Sequence, residues 1–330
     1  MPLEVEAPEF LHGAWYYERH REGSEFAVLC RRVGALDAAE EVVLDRDALA
    51  AQHGYMNVSM VKISNDGKQL LYTIDTTGDE SFDAYIVTLD EGTGEHRLVC
   101  HDVVSVEFSP DSQSVIYTRA DDQLRPYQAW IHTLESSVDS AVLLYEESDT
   151  SYILDVSRSK DGSSVFLSSN SKSTSEVRVL IMDPTTEAGY QCQLIRGRED
   201  GVQYFADRLG DWYIIMASGP EDKEPERTLY RASVKADGGA APWEAIMRGR
   251  AGDAMDDVDV FESFLAVYGR VQGKPAVRIL EDYQGETQDM ASMGTDKGVR
   301  VDIPEPYTAI RPGVPLLLYG VASLIGALQV

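Results

Sequence analysis

The chain has 330 residues, of which 43% are hydrophobic and 26% charged, so it can bury a core of ordinary globular size. Acidic residues outnumber basic ones by 56 to 29, which gives a formal net charge of −27 at neutral pH. A surface of this charge repels phosphate backbones, which argues against nucleic-acid binding, and it attracts basic peptides.

A polar turn followed by an alternating strand recurs along the chain. The clearest copies read KISNDGKQLLYTID, EFSPDSQSVIYTRAD and SRSKDGSSVFLSSN, at residues 62–75, 107–121 and 157–170. An earlier copy lies at residues 15–32, and weaker ones lie at 204–218 and 257–270. Each copy pairs a polar turn with a segment of period two, which predicts a β-strand after the turn.

The turns recur at a regular distance. Their markers lie 44 to 53 residues apart and are Gly23, Gly67, Ser112, Gly162, Gly210 and Ser263. Further strands are predicted at residues 84–89, 177–182 and 276–280, whereas a helix pattern is confined to residues 45–53, before Gly54. Several short strands per unit at this period are typical of propeller blades. The sequence therefore predicts an all-β propeller of about six blade-like repeats.

The sequence contains few residue patterns that support chemistry. No glycine is followed by x-Ser-x-Gly, the elbow on which α/β-hydrolases present their nucleophile. The trio Cys100-His101-Asp102 is dense, but neighbours on a strand point to opposite faces and cannot share one metal ion. An acidic run, with Asp257 and Asp259 at its end, lacks the EF-hand order and is predicted to be a solvated loop. We predict no catalytic residue, metal or cofactor within the chain.

The cysteines and the first residues of the chain indicate the cellular compartment of the protein. Cys30, Cys100 and Cys192 are far apart and form no C-x-x-C pair, which favours a reducing environment. The first 17 residues have neither a basic nor an apolar segment of the kind found in signal peptides. We therefore predict a cytoplasmic protein.

Several stretches resemble the N-terminal propeller of the prolyl oligopeptidase family of serine peptidases, and within it oligopeptidase B. The resemblance runs from about residue 12 to residue 306 and rests on residues 15–32, DTTGDE at 75–80, LRPYQAW at 124–130, SKSTSEVR at 171–178 and IPEP at 303–306. It implies a seven-bladed propeller that covers the Ser-His-Asp triad of an α/β-hydrolase domain and admits short peptides, which oligopeptidase B cleaves after Lys or Arg. It also implies that charged residues such as Glu176, Arg178 and Arg125 line the tunnel or meet the hydrolase domain. A surface ion pair is the alternative for Glu176 and Arg178, which share one face of a strand.

The resemblance also suggests a division of the chain. Residues 1–306 are predicted to be the propeller, with the last part of the ring missing. Residues 307–330 contain PLLLYG, which resembles the first core strand of the hydrolase domain, but Val321 stands where the family has its oxyanion tyrosine. Three interpretations of the uncharged segment 314–330 stay open: a displaced hydrolase strand, an aberrant end of the gene product, or a tail anchor. Its 17 residues are short for a membrane span, so membrane attachment is not expected.

Two functions are consistent with these observations. One is the substrate-gating propeller of an oligopeptidase B-like endopeptidase, which would be inactive without its hydrolase domain. The other is a propeller without enzymatic activity that binds basic peptides or a protein partner.

Overall fold

The computed structural model describes residues 8–89, 94–218, 227–249, 253–271, 273–280, 288–289 and 300–302. The predicted hydrolase-like segment, 307–330, and the IPEP stretch lie outside the described residues. The described residues are almost entirely β and form six sheets, in which most neighbouring strands are consecutive in the chain. Six sheets match the six repeats predicted from the sequence.

The first three sheets belong to one compact unit of the chain. Sheet 1 contains β1 (Glu9–Leu11), β2 (Ala14–His20), β3 (Ala27–Val33) and β4 (Glu40–Asp45). Sheet 2 contains β5 (Asn57–Ile63), β6 (Gln69–Asp75), β7 (Asp83–Thr88) and β8 (Arg97–Cys100). Sheet 3 contains β9 (Val106–Phe108), β10 (Ser114–Ala120), β11 (Pro126–Thr133) and β12 (Val142–Glu146).

The later sheets belong mainly to a second compact unit. Sheet 4 contains β13 (Ile153–Arg158), β14 (Val165–Asn170), β15 (Ser175–Met182) and β16 (Tyr190–Arg196). Sheet 5 contains β17 (Gln203–Leu209), β18 (Trp212–Ser218), β19 (Thr228–Ser233) and β20 (Glu244–Arg248), with β24 (Gln288–Asp289) added in parallel. Sheet 6 contains β21 (Asp253–Val260), β22 (Leu265–Val271), β23 (Lys274–Leu280) and β25 (Arg300–Asp302).

The repeated turn has the same hydrogen bonds in three consecutive sheets. A serine Oγ accepts the N–H of the residue five positions later at 2.9 Å and donates to an aspartate two positions later at 2.5 to 2.6 Å. The three serine–aspartate pairs are Ser64 and Asp66, Ser109 and Asp111, and Ser159 and Asp161. The residue after each aspartate has a positive φ, which glycine adopts without strain; Ser112 takes this conformation at φ 60°.

Neighbouring sheets within each unit bury their faces against each other. In the first unit one apolar cluster joins sheets 1 and 2 and another joins sheets 2 and 3. In the second unit the corresponding clusters join sheets 4 and 5 and sheets 5 and 6. Central strands such as β6 are therefore buried on both faces.

Two local predictions need correction. The helix pattern at residues 45–53 forms only α1 (Arg46–Ala50), which Asp45 caps by accepting the N–H of Ala48; the chain also has a short 3₁₀ turn, η1 (Val138–Ser140). The acidic run predicted to be a solvated loop is strand β21, with Asp253 buried. Among the described residues, no helix combines the length and hydropathy that crossing a membrane requires.

Candidate functional site

Two of the charged residues singled out by the sequence form an ion pair. Glu176 and Arg178 are two positions apart on β15 and so share one face of sheet 4. Arg178 Nη1 lies 2.5 Å from Glu176 Oε1. Glu176 is only 7% exposed, so the alternative of a surface pair is wrong.

A second arginine joins this pair from the loop that follows β16. Arg198 Nε lies 3.6 Å from the same Glu176 oxygen, and Arg198 Nη1 lies 3.9 Å from Asp149 Oδ2. The Arg198 guanidinium also lies 3.8 Å from the ring centroid of Tyr152. Two carboxylates and two guanidinium groups are paired here, and this pairing offsets the cost of burying the Glu176 side chain.

Arg125 makes its contacts in the other unit of the chain. Its Nε donates to Asp121 Oδ2 at 3.0 Å and its Nη1 donates to the Glu147 carbonyl at 3.3 Å. The guanidinium lies 5.2 Å from the Tyr127 ring. These bonds hold the turn before β11, and the role of all three residues in a tunnel or an interdomain surface stays a prediction.

The structure forms a further charged cluster, here called the Lys160 cluster, from Lys160, Asp207, Asp257 and Asp259. The Lys160 main-chain N–H donates to Asp207 Oδ1 at 3.0 Å, and Lys160 Nζ lies 3.1 Å from Asp259 Oδ1. Asp207 is on β17 and the other two aspartates are on β21, and these first strands of sheets 5 and 6 lie against each other. Sequence reasoning missed this cluster because its members come from three separate repeats.

Burial changes the titration of this cluster. It raises the pKa of Asp207 to about 6, with Asp161 adding to the rise and the Lys160 N–H opposing it. Burial also raises the pKa of Asp257, and neighbouring Asp259 adds to that rise. The cluster combines three acidic side chains with one lysine, so it attracts positively charged groups.

The described residues offer no metal site and no activated thiol. Within the described ranges, no group of three or more His, Cys, Asp or Glu side chains is placed to hold a metal ion. The three cysteines are free. Burial raises the pKa of Cys100 to about 12 and that of Cys192 to about 11, which keeps both thiols protonated and poor nucleophiles.

Comparison with known proteins identifies what the chain resembles. Residues 4–311 match the family model of the prolyl oligopeptidase N-terminal beta-propeller domain. The chain is 31% identical over 215 residues to Protease 2 of Moraxella lacunata, covering 63% of this chain and 31% of that protein. It is 26% identical over 314 residues to dipeptidyl aminopeptidase BI of Pseudoxanthomonas mexicana, covering 88% of this chain and 42% of that protein.

Solved structures give the same architecture. Oligopeptidase B from Leishmania major superposes with a TM-score of 0.77 at 21% identity, over 92% of this chain and 42% of that one. Oligopeptidase B from Trypanosoma brucei superposes with a TM-score of 0.75 at 22% identity, over 93% of this chain and 42% of that one. The chain thus spans about a third to two fifths of the length of these relatives, and the likeness to the solved structures establishes the β-propeller fold.

Proposed function

Since the chain belongs to the prolyl oligopeptidase family, we propose that it is the substrate-gating propeller of a peptidase of the oligopeptidase B type. In this proposal the propeller admits short peptides to a hydrolase domain that cleaves after Lys or Arg. The observation that carries the proposal is the match of residues 4–311 to the family's propeller.

The Lys160 cluster supports a preference for basic peptides. In a propeller the first strand of each blade borders the central channel. Asp207, Asp257 and Asp259 lie on such first strands, and the whole chain carries a charge of −27. A peptide that carries Lys or Arg is attracted to carboxylates at this position, whereas an acidic peptide is repelled.

The catalytic groups belong elsewhere in this proposal. No Gly-x-Ser-x-Gly occurs in the 330 residues, and the family's chemistry is acyl transfer by a Ser-His-Asp triad. These residues alone are therefore expected not to hydrolyse peptides, and the triad comes from a hydrolase domain. We place the peptidase in the cytoplasm because its three cysteines are free.

The proposal is tested by sequencing the transcript across residues 303–330 and assaying the encoded product. A product with a serine elbow is expected to cleave a fluorogenic Arg-Arg amide faster than the matched Ala-Ala amide. Asp259→Asn is expected to lower kcat/KM for the Arg-Arg substrate and to leave the Ala-Ala substrate unchanged. Equal cleavage of the two amides by the wild-type product contradicts the proposed specificity.

The second candidate function is a propeller that binds basic peptides without cleaving them. The Lys160 cluster favours it as well, because binding needs the carboxylates but no triad. If the transcript encodes no serine elbow, fluorescence anisotropy measures the binding of an Arg-rich peptide and so tests this second function. Binding that weakens steeply with salt supports this function, and no binding at low salt contradicts it.

A further inference from the structure

A cavity of about 370 Å³ opens beside sheet 2, within the first unit of the chain, and its lining shares no residue with either charged cluster. Leu49 of α1, the following residues Gln52 and His53, and residues of β6 and β7 line it. Binding pockets for small molecules begin at roughly 300 Å³, so this cavity can hold a ligand of amino-acid size.

One wall of the cavity is aromatic and is held in place by its own contacts. Tyr72 and Tyr85 are register partners on β6 and β7, and their rings stack at 5.7 Å with an interplanar angle of 18°. The Tyr72 hydroxyl lies 2.7 Å from His96 Nδ1, and the His96 ring meets the Tyr72 ring edge-on at 5.6 Å. The wall therefore needs little rearrangement to receive a ligand.

The lining of the cavity offers a carboxylate to a ligand. Asp83 is the acidic residue among the described residues that line the cavity, and that lining includes no lysine or arginine. Burial raises the pKa of Tyr72 and Tyr85, so both phenols stay protonated. Asp83 Oδ1 lies 2.9 Å from His101 Nδ1, and the Asp83 side chain is still 36% exposed.

We propose that this cavity binds a small organic cation, with its ammonium group at Asp83 and its apolar part against Tyr85 and Leu49. A carboxylate beside aromatic rings is the combination that favours an organic ammonium ion, through an ion pair and a cation–π contact. An anion meets Asp83 without any lysine or arginine in the lining to offset it. This site is independent of the proposed peptidase function, since neither the Lys160 cluster nor a triad takes part.

The experiment uses the 330-residue chain and benzylammonium as the probe. Isothermal titration and saturation-transfer NMR measure its binding, with benzyl alcohol as a neutral probe and benzoate as an anionic probe of similar size. Benzylammonium is expected to bind with a dissociation constant near or below about 1 mM, and the other two probes at least about tenfold more weakly.

Three variants test the assigned residues. Asp83→Asn is expected to weaken benzylammonium binding roughly tenfold, and Tyr85→Leu to weaken it roughly threefold, whereas Tyr85→Phe retains the ring and the affinity. His101→Gln removes the imidazole that contacts Asp83 but keeps the Asp83 carboxylate, so this variant is expected to bind as the wild type does. Asp139→Asn, on an exposed residue of η1, removes one negative charge elsewhere and controls for the overall field.

Several results of these binding experiments would overturn the proposed cation site. Benzyl alcohol or benzoate binding as tightly as benzylammonium overturns the assignment of a cation site. An unchanged affinity in Asp83→Asn, checked by thermal melting to be folded, also overturns it, as does the absence of any binding up to about 10 mM. If Asp83→Asn does not fold, the contrast between Tyr85→Phe and Tyr85→Leu decides, and equal affinities in the two reject the proposal.

Discussion

Asp207 gives the second unit a stability that depends on pH. Its pKa is about 6 in the folded protein against an ordinary value of 3.8. A carboxyl group whose pKa is higher in the folded state binds its proton more tightly there, so it stabilises folding as the pH falls through about 6. Above that pH the buried carboxylate lowers the free energy of unfolding.

The size of the effect follows from the shift. A difference of about 2 pKa units corresponds to roughly 3 kcal/mol between the fully ionised and fully protonated limits. Between about pH 7.5 and about pH 5 the linkage relation gives about 1.4 kcal/mol of this total. For a unit of 150 to 250 residues this free energy shifts the melting temperature by about 3–6 °C.

Asp207→Asn removes the titration and keeps an amide oxygen that can accept the Lys160 N–H. We expect the melting temperature of the variant, measured relative to wild type, to fall by about 3–6 °C as the pH is lowered from about 7.5 to about 5. Circular dichroism melts at matched ionic strength measure this difference, with Asp139→Asn as the control. A difference between Asp207→Asn and wild type that stays constant over this range, or that moves in the opposite direction, refutes the reasoning.

Three further substitutions probe the packing and the turns. Glu176→Gln leaves two arginines without their buried countercharge and is expected to lower the free energy of unfolding by about 3 kcal/mol in urea titrations. Gly269→Ala places a Cβ about 2.0 Å from the Ala254 carbonyl oxygen on the neighbouring strand; we expect a loss of at least about 3 kcal/mol or a failure to fold, read from soluble yield and melting. Ser109→Ala removes the hydroxyl that accepts the Ser114 N–H and is expected to cost about 1–3 kcal/mol by the same urea titration.

Matched controls make these three expectations refutable. Glu199→Gln breaks an exposed ion pair and should cost less than about 1 kcal/mol, so an equal loss in Glu176→Gln contradicts the buried role. Gly273→Ala, at φ 79° with open space around its Cβ position, should cost only about 1–2 kcal/mol, and a milder effect of Gly269→Ala argues against the close approach. Ser136→Ala alters an exposed hydroxyl, and the turn bonds are unimportant if Ser109→Ala costs no more.

The repeats were predictable because residues close together in the sequence determine each of them. A serine, an aspartate and a glycine within four residues specify a chain reversal, and the alternating residues beside it specify a strand. The turn at Ser159 therefore appears where the sequence places it. Which sheets cover the two faces of β6 was not predictable from this strand, because its own residues do not identify the neighbouring sheets.

In the charged sites, too, contacts between residues close in sequence were predictable, whereas contacts between distant residues were not. Glu176 and Arg178 are adjacent on one strand face, so their pairing could be read from spacing, whereas the arrival of Arg198 could not. Lys160 and Asp259 are 99 residues apart in sequence, and only the packing of their blades brings them together. A long-range ion pair has no period or motif that would reveal it in a single sequence.

The hydrogen bonds of the Ser–Asp turn form within six residues, so the residues of each turn are sufficient to reverse the chain. Strand residues outside the turn can then diverge without losing the reversal. A gene segment that encodes one such hairpin can be duplicated in tandem, and the duplicate contains every residue that the turn requires. The turn therefore accounts for how blades of such different sequence, KQLLYTID beside SSVFLSSN, can descend from one ancestral unit.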